Sequence, residues 1–303
     1  MERSPALKYG VRSRALIRRE TTAAYIFLTP CLLLFVGFVI FPMGLCLVTS
    51  FFNYTMADFT FVGLKNYAEL FRDAVFTKSL VNTLVIVLAS VPAVMLFSLW
   101  VGTVVHKLSD AACSFFRCSF YLPVVTGTVA VTVVWKWMFS KYTGLFNYVL
   151  KALGLISTNV AWLGSVDTAL WCIIMILFTT SVGQPIVLYV SALNNVDHSL
   201  IEAAHVDGAT NMQTFWKIKW PQIMPTTLYI LVITTINSFQ CFALIQLLTS
   251  GGPQNSTSTI MYYIYYQAFS LYRYGYGNAM GIVLAVIIAL FSFLQFRVTK
   301  QDD

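Results

Sequence analysis

Long apolar runs separated by short polar segments make up most of the chain. Six of these runs are long enough, at about 20 residues each, to cross the roughly 30 Å hydrocarbon core of a bilayer as helices. The pattern therefore predicts an all-α integral membrane protein with six transmembrane helices. The runs are residues 25–52, 80–105, 118–139, 168–193, 227–249 and 276–296. We interpret the first as a retained span, because its apolar run is longer than that of a signal peptide and no Ala-x-Ala cleavage pattern follows it.

One polar segment between two spans, residues 194–225, has helix signals of its own, and we call it the hook. Ser199 and Glu202 have the spacing of a capping box, in which the two residues satisfy each other's backbone amides at a helix start. Thr210 and Gln213 repeat the spacing a short way on. The hook is therefore predicted to contain two short helices.

The two helices have predicted ends and apolar surface. Gly208 is placed to end the first helix, and Pro221, which has no amide hydrogen, is expected to end the second. Because the flanking spans hold the hook outside the bilayer, its apolar side chains indicate a docking surface for a partner protein. They are Leu200, Ala203, Ala204, Val206, Phe215, Trp216 and Ile218.

Two of the other segments outside the spans also carry structural signals. Residues 53–77 are amphipathic enough for a short surface helix around residues 65–72. After the fifth span, seven tyrosines between residues 262 and 276 predict a helix at the water–lipid boundary.

Composition and charge agree with a membrane protein. Apolar residues make up 58% of the chain and charged residues only 10%, with a mean hydropathy of +0.74, whereas about a quarter of the residues in soluble domains are charged. The net charge of +7 is not gathered on one aromatic-rich face, so we expect no nucleic-acid binding. The six cysteines lie in or beside apolar runs without metal-ligand spacing, and we expect no metal site.

The distribution of lysine and arginine predicts the orientation. With the N-terminus inside, twelve basic residues flank the spans on the cytoplasmic side and seven lie outside. Both termini and the hook are therefore expected in the cytoplasm.

The sequence lacks the residues that several kinds of transport and catalytic chemistry require. The interiors of the predicted spans carry no Asp, Glu, Lys, Arg or His, which argues against an ion-coupled secondary carrier. The three histidines lie outside the spans, so an intramembrane protease is not expected. No phosphate-binding loop of the Gly-x-x-x-x-Gly-Lys type occurs, so any ATP, with its Mg²⁺, is expected on a separate subunit.

Polar side chains mark a candidate solute pathway between the fourth and fifth predicted spans. Gln184 lies between Gly183 and Pro185, where the proline is expected to interrupt the helix. Five polar side chains of the fifth run fall within less than half of a helix circumference. They are Thr234, Asn237, Ser238, Gln240 and Cys241. For any single one of them, hydrogen bonding between helices is as good an explanation as contact with a solute.

The hook resembles the cytoplasmic signature of permease subunits of binding-protein-dependent ABC importers. That signature reads Glu-Ala-Ala, three residues, Gly, nine residues, Ile-x-Leu-Pro, and Trp220 stands here where leucine is usual. The segment 239–259 resembles the sugar-importing branch, and in particular the larger membrane subunit of the maltose transporter. The matching signature residues are Glu202, Ala203, Ala204, Gly208, Ile218 and Pro221.

This resemblance implies a type I ABC importer permease fold. The implied organisation is a basic N-terminal segment (residues 1–24), a six-span permease domain (residues 25–297) that contains the hook, and a short tail (residues 298–303). It also implies a bacterial plasma-membrane location and four kinds of partner: a second, homologous permease, two ATPase subunits, an extracytoplasmic solute-binding protein and a sugar. ATPase coupling is then expected at the signature residues with Asp207, Phe215 and Trp216, and sugar contact at Gln184, Asn237, Ser238 and Gln240.

Other function classes remain open at this point. The chain could be a permease for another neutral polar solute, such as a glycerol phosphodiester or a polyol. Outside this family, it could be a secondary carrier, a channel that conducts without nucleotide, or a scaffold that only recruits a soluble partner.

Overall fold

The computed structural model describes residues 14–299, with side chains from residue 20 to residue 297, and divides the chain into two compact units. The first unit ends at Thr49. In it, helix α1 (Arg14–Phe35) continues through a π-helical turn (Val36–Ile40) into helix α2 (Phe41–Thr49). Residues 20–49 form an apolar helix of membrane-spanning length, and none of the side chains in its most apolar stretch is buried. This is the first predicted span.

The second unit starts at Ser50 with a small layer that precedes the next span. Strands β1 (Phe52–Tyr54) and β2 (Phe59–Phe61) form an antiparallel hairpin that the sequence analysis missed. Helix α3 (Lys65–Leu70) follows and confirms the predicted surface helix. The buried side chain of Asn66 donates to the carbonyl oxygens of Ser50 and Phe52, at 2.7 and 2.9 Å, and so fixes α3 against the hairpin.

Three further predicted spans are present as membrane-length helices. Helix α5 (Asp110–Val125), helix α6 (Thr128–Met138) and the short helix α7 (Leu145–Ala152) lie between the first two of them. The spans are α4 (Ala74–Val105), the pair α8 (Ala169–Ser181) and α9 (Gly183–Asn194), and α15 (Tyr274–Thr299). The α8–α9 pair forms one span of 26 residues with only a bend at Val182, which lies one residue before the predicted interruption.

The third span differs from the single helical span predicted over residues 118–139. The chain forms helix α5 (Asp110–Val125) and helix α6 (Thr128–Met138), which are bent by 93° relative to each other. The cause is local. Pro123 has no amide hydrogen to donate to the preceding turn. The backbone of Thr126 is extended, with φ −71° and ψ 126°, so the helix ends before it.

The fifth span is part of a longer helical segment from Asn211 to Leu248. It consists of α11 (Asn211–Thr214), a π-helical turn (Phe215–Lys219), α12 (Trp220–Phe239) and, after an interruption, α13 (Ala243–Leu248). The prediction that Pro221 ends a helix is therefore wrong. The amide of Trp220 bonds to the carbonyl of Phe215, and this wider turn accommodates the proline ring without ending the helix.

Helix α4 lies at the centre of the second unit and packs against α8, α9 and α12. Its contacts combine buried aliphatic side chains with polar pairs, as when Ser90 shares a 3.0 Å hydrogen bond with Ser238 of α12. On α9, a Cβ atom at Gly183 would lie 2.3 Å from the carbonyl oxygen of Phe120, so glycine permits the close packing of α9 on α5.

A polar network joins the start of α4 to helices near the C-terminal end of the chain. Asp73 caps α4 by accepting from the amide of Val75 at 2.8 Å. It also accepts from the hydroxyls of Tyr263, in helix α14 (Ile260–Tyr265), and Tyr276, at 2.7 and 2.8 Å. The segment predicted as one tyrosine-rich boundary helix is divided among α14, a π-helical turn and the start of α15, and its Tyr263 and Tyr276 are buried in this network.

Candidate functional site

The hook begins with helix α10 (His198–Val206), whose first turn is capped differently from the prediction. The carboxylate of Asp197 accepts from the amide of Ser199 at 2.9 Å, so Asp197 is the cap and the proposed box of Ser199 with Glu202 is wrong. Hydrogen bonds from Ser199 hold the pKa of Asp197 below its ordinary value. Glu202 is exposed to solvent and available to a partner.

Gly208 ends this helix in the predicted place. Its φ of +80° belongs to the left-handed region that glycine adopts without strain. The amide of Ala209 bonds to the carbonyl of Ala204 at 2.9 Å and that of Gly208 to His205 at 3.1 Å, the pair of bonds that defines a Schellman motif. A Cβ atom here would meet nothing within 4 Å, so only the backbone conformation restricts this position.

The second half of the hook starts with the predicted capping box. The amide of Gln213 donates to the Thr210 hydroxyl at 3.3 Å, and the amide of Thr210 donates to the Gln213 side chain at 2.8 Å. From Asn211 the chain then runs through the π-helical turn into α12. One helical segment therefore connects the hook to the candidate solute pathway.

Four of the six signature residues line one groove of the hook, which we call the signature groove, whereas Glu202 and Gly208 lie outside its lining. It lies between α10 and the start of α12 and has a volume of about 360 Å³. Its lining includes five of the residues predicted to couple to an ATPase, namely Ala203, Ala204, Asp207, Ile218 and Pro221.

The two predicted aromatic anchors lie outside this groove. Phe215 and Trp216 pack edge to face with ring centroids 5.3 Å apart, and Trp216 also contacts Trp220 at 5.5 Å. Phe215 is half-buried, whereas 54% of the Trp216 surface is exposed. Trp216 is thus the anchor that a partner could reach.

Two neighbouring cavities lie along the predicted solute pathway. The first, about 160 Å³, is bordered by Gln184 and Asn237, and the second, about 280 Å³, by Gln240. Val124 and Thr180 border both cavities. Neither lining includes Asp, Glu, Lys, Arg or His, so the cavities offer amides, hydroxyls and apolar surface.

The structure separates Ser238 from the other three pathway candidates. Gln184, Asn237 and Gln240 are exposed, while Ser238 is buried and paired with Ser90 of α4. The single polar face predicted for the fifth span also ends at Phe239, because Gln240 and Cys241 lie in the interruption between α12 and α13.

The sequence analysis missed the contribution of the third span to these cavities. Thr126 and Thr128, on either side of the break between α5 and α6, line the larger one together with Thr180 of α8. Pro123 followed by Gly127 is the signal that could have revealed the break, since both residues are uncommon in uninterrupted helices of soluble proteins.

Comparisons with known proteins agree on one family. A family described as binding-protein-dependent transport system inner membrane component matches residues 67–301. The probable ABC transporter permease protein YesP of Bacillus subtilis (strain 168) is 32% identical over 291 residues, which cover 94% of this chain and 92% of YesP. The multiple sugar-binding transport system permease protein MsmF of Streptococcus mutans is also 32% identical, over 91% of this chain and 95% of MsmF.

A solved structure extends the match to the fold. It is a bacterial alginate ABC transporter in complex with an alginate pentasaccharide-bound periplasmic protein, and its matching chain is 25% identical with a TM-score of 0.79. The match covers 96% of this chain and 100% of the other. The predicted permease fold and the resemblance seen in the hook are therefore confirmed, and the chain belongs to the family of inner-membrane components of binding-protein-dependent transport systems.

Proposed function

We propose that this chain is one permease subunit of an ATP-driven sugar importer, and that it forms the solute pathway together with a second, homologous permease. The observation that carries the proposal is the helical segment from Asn211 to Leu248, which joins the signature groove to two uncharged cavities. Relatives named for sugar transport, and a fold relative crystallised with a pentasaccharide-bound protein, support a carbohydrate as the solute.

We place sugar recognition at Gln184, Asn237 and Gln240. Their amides can donate to and accept from sugar hydroxyls, and all three are exposed along the cavities. The absence of charged lining residues suits a neutral polyhydroxylated solute. We assign Ser238 to the packing of α12 on α4, because its hydroxyl already bonds to Ser90.

We place ATPase docking at the hook. In this proposal two ATPase subunits hold the ATP and Mg²⁺, this chain binds no cofactor and catalyses no reaction, and the hook transmits the movement of one ATPase to α12. Glu202 and Trp216 offer an exposed charge and an exposed aromatic side chain for that contact. The basic flanks of the spans support an orientation with both termini and the hook in the cytoplasm.

Uptake into proteoliposomes tests the proposal against its alternatives. Vesicles containing both permeases and the ATPases are supplied with ATP and with binding protein loaded with labelled sugar. We expect uptake that requires both ATP and the binding protein. Uptake driven by an ion gradient would indicate a secondary carrier, uptake without ATP would indicate a channel, and no solute movement with any sugar, polyol or glycerol phosphodiester would leave only a scaffold.

A further inference from the structure

A second cavity beside the hook has a different character from the signature groove. It has a volume of about 420 Å³ and lies between the end of α4, α10 and the segment that starts at Asn211. We call it the basic cavity, because its ten lining residues include four basic side chains and no aspartate or glutamate. The basic residues are His106, Lys107, His205 and Lys219.

The basic cavity and the signature groove lie on different sides of the hook. Along α10, Ala203 and Ala204 face the groove while Ile201 and His205 face the basic cavity. The centres of these two pairs are separated by roughly 130° around the helix. On the second segment Lys217 lines the groove and Lys219 the cavity. Contact between an ATPase and the groove would therefore leave the basic cavity to another ligand.

His106 is held in a defined tautomer at the wall of the cavity. Its Nδ1–H donates to the carbonyl oxygen of Thr103 at 2.9 Å, so Nε2 of the neutral ring is an acceptor and faces Lys219 Nζ at 3.4 Å. Burial, followed by the charges of Lys219, Lys107 and His198, holds the pKa of His106 below its ordinary value, although its bond to Thr103 acts in the other direction. The cavity thus concentrates positive charge that its own lining does not balance.

We propose that the basic cavity binds a phosphate group. Lys107 and Lys219 supply cationic donors, and the ring of His205 and the side-chain amide of Asn211 supply further N–H donors. An anion placed among these groups relieves the mutual repulsion of the cations. Phosphate binding in the basic cavity does not depend on which solute the transporter carries.

The position of the cavity, at the ends of two spans, favours the headgroup of an anionic phospholipid as the source of the phosphate. His106 directly follows the last residue of α4, and Lys219 directly precedes α12, so both lie where a span meets the headgroup region. In the orientation proposed above, this is the cytoplasmic leaflet. Met212, with 67% of its surface exposed, and Phe215 add apolar contacts at the rim. A free phosphate compound offers the same chemistry, and the experiment distinguishes the two sources.

Binding is expected to be linked to proton uptake. A phosphate near Nε2 of His106 favours the protonated ring, so the pKa of His106 rises on binding and affinity increases as the pH falls. The other charged or titratable groups that face His106 are Lys107, His198 and Lys219, and His205 lines the same cavity.

The test measures ligand retention by the complete purified transporter. In one arm it is incubated with phosphatidylglycerol or phosphatidylcholine and the retained lipid is counted by native mass spectrometry, near pH 6 and near pH 8. In the other arm the ligand is inorganic phosphate, detected by ³¹P NMR. Both arms are repeated with Lys219→Gln, with the exposed His205→Gln, and with Lys217→Gln as the matched control from the signature groove.

We expect preferential retention of phosphatidylglycerol, stronger at the lower pH, and an affinity about fivefold lower for Lys219→Gln but unchanged for Lys217→Gln. Phosphate binding with the same dependence on the variants, but without lipid preference, would support the site with a soluble source. Binding in neither arm, or an equal loss in Lys217→Gln, would overturn the proposal. So would a weaker association of Lys219→Gln with the ATPase in the absence of any phosphate binding, because the cluster would then belong to the protein interface.

Discussion

Position 208 favours glycine because of its backbone conformation, and not because a side chain would lack space there. The left-handed φ of +80° costs a β-branched residue about 1 to 3 kcal/mol, while open space surrounds the position of a Cβ atom. The hook can therefore be distorted without a clash that would disturb the rest of the fold.

We predict that Gly208→Val inserts into the membrane normally but loses most sugar uptake. Gly208→Asn is the matched control, since asparagine tolerates the left-handed region better than other residues with a side chain. It should retain most of the activity. The measurement is uptake per amount of protein in the membrane, and wild-type uptake by the valine variant would remove Gly208 from the coupling mechanism.

Asn237 and Gln240 give a second prediction. Alanine at either position should lower uptake or change the preference among sugars, because an amide that recognises a hydroxyl is lost. Ser238→Ala is the matched control from the same helix. It should keep the sugar preference and lose only about 0.6 kcal/mol of helix packing. Normal uptake by single and paired alanine variants of Gln184, Asn237 and Gln240 would place sugar recognition elsewhere.

Sequence reasoning identified these side chains but could not separate their roles. Asn237 and Ser238 are adjacent in the chain, and both fit the polar face of a helix. Only the position of α4 shows that Ser238 reaches Ser90 while Asn237 stays exposed. The cap of α10 was misassigned for a similar reason, because Asp197 and Ser199 are both good caps within two residues of each other.

At the scale of elements, the hook is predicted to bind the ATPase, and the hydrogen-bond network around Asp73 is predicted to stabilise the fold. On the hook, Trp216 has more exposed surface than the half-buried Phe215. We predict that Trp216→Ala weakens ATPase association by about 2 kcal/mol, or roughly 30-fold in affinity. Trp100→Ala, which removes a similarly exposed tryptophan from α4, should leave that affinity unchanged. Equal binding by both variants would exclude Trp216 as an anchor.

At the start of α4, Asp73 connects this helix to α14 and α15. Burial acts to raise the pKa of Asp73, but hydrogen bonds from Tyr263, Tyr276 and two backbone amides outweigh it and hold the pKa below its ordinary value. Because the pKa is lowered by folding, the carboxylate stabilises the protein above its ordinary pKa. This stabilisation is lost as the pH falls through the lowered value.

We therefore predict that Asp73→Ala lowers thermal stability at neutral pH, by about 1 kcal/mol for the lost cap and partly exposed charge. The difference from wild type should shrink as the pH falls below the ordinary pKa of an aspartic acid, because the wild-type carboxyl group then takes up a proton. Thermal unfolding in detergent measures this, with the exposed Asp167→Ala as control. A pH-independent difference would show that the charge of Asp73 contributes nothing.

The existence of most helices was predictable from apolar run length, but their breaks were not. The proline of the third span and the proline of the hook affect their helices in opposite ways. A sharp bend follows Pro123, whereas the helix continues through Pro221 because a π-helical turn precedes it. The local backbone on either side of the proline distinguishes these outcomes, and residue type alone does not.

In the unit that begins at Ser50, one long helical segment extends from the hook to both cavities. The segment from Asn211 to Leu248 begins in the capping box of the hook and borders both cavities through α12 and the interruption after it. A movement of the hook can thus reach Asn237 and Gln240 without passing through a loop. The sequence predicted both ends of this segment, but it placed a false stop between them at Pro221.

ATP hydrolysis by the reconstituted complex tests this coupling most directly. The complex of both permeases and the ATPases is assayed with empty binding protein, with binding protein loaded from a sugar panel, and with Gly208→Val in place of the wild-type chain. We predict that one loaded binding protein stimulates hydrolysis several-fold and that Gly208→Val abolishes the stimulation while the basal rate persists. Equal hydrolysis with empty and loaded binding protein for every sugar, or full stimulation of the valine variant, would contradict the proposed coupling.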